Sequence, residues 1–272
     1  MSTSEAPNPS AAARSLTVET ANGPVACSIW DAAGEGAGRA AAVLIHGVNG
    51  SVASWAGVVA AVAGRRPLVA IDLRGRGASP AKGPWGVEAH GTDVAEVVGA
   101  LGEASGSPLP VTLVGHSFGA HVAAAAAGQA PGLVAELVLV DGGPPRRVPA
   151  EGGAKAAIDG ALGNILPMLD DLPFPVSAEA VAADFASMVN DGSADDVAGC
   201  PLAATTQPLT LIRAGNGMAP GLPPIIDDDL LADLTTARGG PVTSELVPAA
   251  THFSLLGDHS GPVVEAIATL RS

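Results

Sequence analysis

Tyrosine is absent from the 272 residues, and aromatic residues as a class make up only 3% of them. Cysteine occurs twice, at Cys27 and Cys200, far apart and with no CxxC or Cys/His spacing. That excludes a disulfide framework and a patterned zinc site, and it suits a reducing compartment such as the cytoplasm. Basic residues are also scarce, 13 Lys and Arg against 27 Asp and Glu, which disfavours nucleic acid and anionic membranes as partners and favours solubility. No apolar run is long enough to span a bilayer. The opening MSTSEAPNPSAAAR lacks the apolar stretch of a secretory signal, so residues 1–14 read as a loose polar tail. There is no GxxxxGK[ST], and Gly34-Glu35-Gly36-Ala37-Gly38 neither follows a strand nor opens a helix at the required spacing, so no nucleotide cofactor is expected.

What is present is a chain with 47% hydrophobic residues, enough for one large core. SLTVE and VACSIWD read as two short strands. AAVLIH, PLVAID, VTLVG and LVLVD are unbroken apolar runs bounded by turn residues, as in strands buried on both faces of a parallel sheet. Between them SWAGVVAAVAG, VEAHGTDVAEVVGALGEA and AHVAAAAAGQA have helical character, and this alternation argues an α/β sheet with helices on both faces. After Asp141 the alternation stops. Residues 144–205 carry several prolines and two short helices, AAIDGALGNILPML and AEAVAADFASMVN, and read as a helical insertion between core segments 15–143 and 206–272. The pattern then resumes with the strand PLTLIRA, a helix near DDLLADL, a strand in SELVPA and a closing helix.

Gly115-His116-Ser117-Phe118-Gly119 has the form G-x-S-x-G. Where a strand turns sharply into a helix, the glycines leave room beside an exposed serine; here an apolar strand precedes the motif and a helix follows, which is the context the motif requires. The competing reading is a serine that merely caps a helix.

With the serine, three further signals make the chain resemble the α/β-hydrolase family from about Leu16 to Arg271: His46-Gly47-Val48 after a strand, DLRGRGAS at 72–79, and a late histidine. The resemblance implies a mostly parallel eight-stranded sheet with helices on both faces and a small helical cap at 144–205. It implies Ser117 as nucleophile, and the N–H groups of Phe118 and Val48 as the oxyanion hole. In DLRGRGAS, Asp72 and Arg74 are expected to pin a loop. Trp55 stands where the loop of the HGx turn often carries an aromatic. Asn49 is either a substrate-facing amide or half of a turn-forming Asn-Gly pair.

Six histidines compete for the base. His46 and His116 belong to turn motifs, His121 lies in the helix after the serine, His90 in a surface-type helix, and His259 near a helix start. His252 occupies the loop after the last strand, where the family carries its base. The acid departs from the usual pattern: after PLTLIR most relatives place an aspartate two or three residues on, and this chain has Asn216. Asp141, at the end of LVLVD, stands where branches such as the haloalkane dehalogenases supply the acid. Asp227, Asp228 and Asp229 remain alternatives, although they also read as a helix cap.

A serine nucleophile implies an acyl-enzyme, hence hydrolysis of a carboxylic ester, thioester or lactone of a small molecule, with no metal and no cofactor. The missing tyrosine removes the cap tyrosines that epoxide opening needs. Leu166, Met168, Phe174, Phe185 and Met188 are candidates to line the acyl pocket. Two other readings stay open: a non-hydrolytic enzyme of the same fold, and a binding protein whose Asn216 reflects lost catalysis.

Overall fold

A computed structural model describes residues 13–105, 110–145, 153–188 and 197–270. Most of the expected tail lies outside them, and Arg14 already opens the first strand. Strands β1 (Arg14–Thr20) and β2 (Gly23–Trp30) form an antiparallel hairpin, and β2 pairs antiparallel with β4 (Leu68–Asp72). From there the sheet is parallel through β3 (Ala42–Ile45), β5 (Val111–His116), β6 (Val134–Val140), β7 (Leu209–Ala214) and β8 (Val242–Val247). The eight strands lie in the order β1-β2-β4-β3-β5-β6-β7-β8.

The unbroken apolar runs have a direct physical origin. Side chains alternate between the faces of a strand, so in β3 Val43 and Ile45 join one core while Ala42 and Leu44 join the other. Helices α2 (Val87–Ser105), α3 (Phe118–Gln129) and α6 (Asp228–Ala237) cover the first face, and α1 (Ala56–Val62) and α7 (Gly261–Thr269) the second. Trp55, fully buried, ends a 3-10 turn at Val52–Trp55 and packs in the second core. That turn takes the front of the helix expected from SWAGVVAAVAG. At the far edge, β8 begins two residues before the expected SELVPA, because an edge strand is only partly buried and its pattern carries polar residues.

Between β6 and β7 the described residues hold α4 (Gly153–Ile165), a 3-10 turn at Leu166–Asp171 and α5 (Ala178–Met188). Just before α5 the chain is stitched to the loop after β4. Gly77 N–H donates to Pro175 O at 2.9 Å, Ser177 N–H donates to Gly75 O at 2.8 Å, and Arg76 bridges Val176. Val181, Phe185 and Met188 of α5 join the first core. Residues 146–152 and 189–196 of this stretch lie outside the described residues. Among the described residues no helix is long and apolar enough to cross a membrane, and no group of three His, Cys, Asp or Glu could hold a metal ion.

Candidate active site

The carboxyl ends of β3, β5 and β6 and the loops after β7 and β8 converge on one cavity of about 970 Å³. This is the edge at which parallel α/β sheets bind ligands. Ser117 is the hinge between β5 and α3, with φ 54° and ψ −119°. A left-handed backbone is costly for a residue with a β-carbon and survives only where its surroundings enforce it. Here they do. A β-carbon on Gly115 would collide with the Gly119 carbonyl, one on Gly119 with the Ile45 and His46 carbonyls, and one on Gly142 with Ser117 O. The third of these glycines lies outside the G-x-S-x-G motif and was not singled out from sequence.

Asp141, which follows β6, is the other non-glycine residue with positive φ among those described, at 49°. Its N–H donates to Ile212 O at 2.8 Å, and its Oδ1 accepts from Ala214 N–H at 3.1 Å. Its Oδ2 lies 2.7 Å from His252 Nδ1. Both side chains are buried. With Nδ1 engaged by a carboxylate, Nε2 is the ring nitrogen left for another partner. Ser117 and His252 line the same cavity. Among the described residues no hydrogen bond yet joins Ser117 Oγ to the imidazole, and bonds of this kind commonly tighten only on substrate.

Two other histidines hold this arrangement in place. His116 Nε2–H donates to His252 O at 3.0 Å, while His252 N–H donates to Gly217 O at 2.9 Å. Burial, helped by the charge of His252, pushes His116 down to about 3, so it stays neutral and can only position. His46 accepts at Nε2 from Leu73 N–H (3.0 Å), which leaves its proton on Nδ1 for Gly47 O at 2.7 Å. Burial drives His46 down to about 3 against that bond. The Gly47 carbonyl also accepts from Gly50 N–H at 3.0 Å. In a planar trans peptide the N–H points opposite the C=O, so these two bonds fix the direction of Val48 N–H. Phe118 N–H belongs to the unpaired first turn of α3.

The alternative acids sit elsewhere. Asp227 caps α6 by accepting from Leu230 N–H at 2.8 Å, and the exposed Asp228 pairs with the buried Arg213 at 2.9 Å. Asn216 spends its amide tying its own loop to the one after β8, accepting from Gly221 N–H and donating to Pro248 O. His259 bonds Ser254 Oγ beside α7, and His121 lines the cavity wall.

Of the expected pocket residues, Asn49, Met168, Phe174, Phe185 and Met188 line the cavity. Leu166 does not: the first residue of a 3-10 turn, it packs against the core instead. Three of the chain's four phenylalanines and three of its four methionines face this cavity, so the scarce bulky side chains are concentrated here and make the wall apolar and adaptable. No Lys or Arg is among its described lining residues.

A profile of the α/β hydrolase fold matches residues 42–159, the stretch holding the HGx turn, the DLRGRGAS loop and the serine hinge. The chain has the α/β-hydrolase fold. The chain is 42% identical over 102 residues to the pimeloyl-[acyl-carrier protein] methyl ester esterase of Methylococcus capsulatus, covering 38% of this chain and 37% of that one. It is 36% identical over 104 residues to the lipase LipV of Mycobacterium tuberculosis, 38% of each chain. These matches span little more than a third of the curated relatives' length. A thermophilic esterase from Thermogutta terrifontis superposes with a TM-score of 0.66 at 19% identity, over 93% of this chain and 96% of that one. The relatives are hydrolases, and the structural likeness is one of α/β-hydrolase fold.

One histidine sits in a place its sequence pattern does not suggest. His90 is not on a surface helix: it is fully buried where α2 meets α5 and α3, with Nε2 3.0 Å from Asp184 Oδ2 and its ring edge-on to Phe118 at 5.7 Å between centroids. Asp184 also pairs with Arg76 at 2.5 Å and accepts from Gly86 N–H at 2.5 Å. Beside it Arg74 pairs with Asp93 at 2.7 Å and lies 5.5 Å over the Trp85 ring, whose indole N–H reaches Glu179 on α5. Asp72 has the pinning role expected of it, accepting from Val52 and Ala78 N–H.

Proposed function

We propose that the chain is a serine hydrolase that cleaves a carboxylic ester through an acyl-serine intermediate, with Ser117 as nucleophile, His252 as base and Asp141 as acid. The single observation that carries this reading is the 2.7 Å contact between His252 and a buried carboxylate at the end of β6, in the cavity that Ser117 enters from its strained hinge. His252 Nε2 takes the Ser117 proton as Oγ bonds to the carbonyl carbon. The carbonyl electrons move to oxygen, where Val48 and Phe118 N–H meet the charge; each such donor is worth about 3 kcal/mol in the transition state. The C–O bond to the alcohol then breaks, His252 returns its proton to the departing oxygen, and water repeats the cycle to release the acid.

The segment 144–205 serves as a cap, and the apolar lining supplied by Met168, Phe174, Phe185 and Met188 favours uncharged substrates with apolar acyl groups, as esters, thioesters or lactones. Asn49 stands beside the oxyanion turn as a polar contact. The protein works in the cytoplasm on small molecules, without nucleic acid, membrane or cofactor. Ser117→Ala should abolish both ester turnover and covalent labelling by an alkyl phosphonate; labelling that persists in this variant would remove Ser117 from the nucleophile role.

A further inference from the structure

The proposed chemistry uses Ser117, His252, Asp141 and two backbone amides, and leaves a buried set of charges unexplained. Arg76, His90 and Asp184 are each fully buried. Arg76 Nε–H donates to Val48 O at 2.9 Å, and its Nη1 donates to Arg74 O at 3.1 Å and to Asp184 Oδ2 at 2.5 Å. The same carboxylate oxygen lies 3.0 Å from His90 Nε2, and the His90 ring abuts Phe118. A single carboxylate on α5 therefore has two arms. One runs through Arg76 to Val48 and the other through His90 to Phe118, the two residues whose N–H groups form the oxyanion hole in the reading above.

Stability alone is a poor reason for this network. Buried ion pairs rarely exceed what well-packed apolar side chains of the same volume would contribute. Here Arg76 Nη2 has no hydrogen-bond partner among the described residues and His90 Nδ1 has only a long approach to Asp93 Oδ2, at 3.6 Å, which adds a desolvation cost. What apolar packing cannot supply is direction. The planar guanidinium fixes the Val48 carbonyl relative to a helix that walls the cavity through Phe185 and Met188, and the strand-like stitching of residues 175–177 onto 75–77 holds that helix to the body.

We propose that Asp184, acting through Arg76 and His90, is a positioning residue for the oxyanion hole, so that α5 sets the catalytic geometry as well as the shape of the pocket. Burial works against ionisation of Asp184, but the hydrogen bond from His90 and the charge of Arg76 hold it below the usual carboxylate range, so the network is charged at neutral pH. The proposal rests on the serine-hydrolase reading, and the experiment separates the two.

Wild type, Asp184→Asn, Arg76→Lys and His90→Gln are compared in three measurements: turnover of a short activated ester such as p-nitrophenyl acetate, inhibition by an alkyl boronic acid, and the thermal midpoint. A short acyl group touches little of the α5 wall, so KM should move less than about threefold while kcat falls about 10- to 100-fold, below the 100- to 1000-fold of a lost donor. The boronate, whose tetrahedral adduct with the serine uses the oxyanion hole, should weaken in proportion to kcat/KM across the series. Arg76→Lys keeps a charge for Asp184 but loses the fork to Val48, so it should not restore kcat. Unchanged kcat and boronate affinity in folded variants, whatever their thermal midpoints, would overturn the proposal. If Asp184→Asn does not fold, Arg76→Lys and His90→Gln decide it by the same criteria. A wild type that neither turns over the ester nor binds the boronate would instead sink the serine-hydrolase reading.

Discussion

Replacing Asp141 by asparagine is the most demanding test of the proposed acid, because the structure dictates what the amide must do. Each carboxylate oxygen of Asp141 has its own partner: Oδ1 takes the Ala214 N–H and Oδ2 lies against His252 Nδ1. An asparagine has one acceptor and one donor for these two places. If its oxygen stays with Ala214, its NH₂ faces Nδ1, which must then be unprotonated, and the imidazole proton moves to Nε2. That tautomer cannot accept the Ser117 proton. If the amide flips, NH₂ opposes the Ala214 N–H in a buried site, at a cost of about 1–3 kcal/mol. The first arrangement should prevail, and kcat should fall about ten-thousandfold, as it does for the equivalent change in a serine protease, or about 5.4 kcal/mol. Steady-state ester hydrolysis at pH 7 to 9 reads the loss. Phosphonate labelling should slow in parallel, and the thermal midpoint should change little. Asp228→Asn, which removes only a solvent-exposed carboxylate from its pair with Arg213, should leave kcat within about twofold. An Asp141→Asn enzyme within about tenfold of wild type would refute the tautomer argument, and a larger loss from Asp228→Asn would move the acid to the loop before α6.

Two further outcomes follow from the same geometry. Gly142→Ala would drive a β-carbon into the Ser117 carbonyl, so it should lower stability by about 1–3 kcal/mol and reduce kcat at temperatures where the fold persists, checked by thermal melts alongside turnover. His46 and His116, each near 3 when folded against an ordinary 6.5, take up a proton on unfolding below that ordinary value. Their stabilisation is therefore whole above pH 6.5 and is lost as pH falls towards 3, at up to about 2.7 kcal/mol per pH unit, twice the 1.36 of a single proton. Asp184 and Asp93, held low by their His90 and arginine partners against burial, continue the loss at more acid pH. The urea midpoint should fall steadily from pH 7 to pH 5; a flat profile would mean that these imidazoles are not buried in neutral form.

The strands of the parallel core are legible in the sequence because burial on both faces makes every position apolar, and the serine hinge because its glycines sit where no β-carbon fits. Asp141 is legible only as the aspartate that ends an apolar run; its left-handed backbone and the pressing of Gly142 against Ser117 depend on how β6 meets β5 in space. The network around Asp184 is hidden for a different reason. Its ion pair with Arg76 spans 108 residues and its contact with His90 spans 94. Neither leaves a periodic trace, and a histidine among polar neighbours on α2 has the pattern of a solvent-facing residue. Leu166 illustrates the reverse error, since an apolar residue close to a pocket in sequence can face the core as readily as the cavity.

The missing tyrosine and the setting of Trp85 together give the chain a built-in optical gauge. With no tyrosine, ultraviolet emission comes from Trp30, Trp55 and Trp85 alone. Trp55 is sealed in the second core and Trp30 packs at its margin, whereas α5 joins the first. Trp85 lies between the Arg74 cation and Glu179 on α5, beside the ring of His90. A change in its brightness therefore registers displacement of α5 from the body, without any label being introduced.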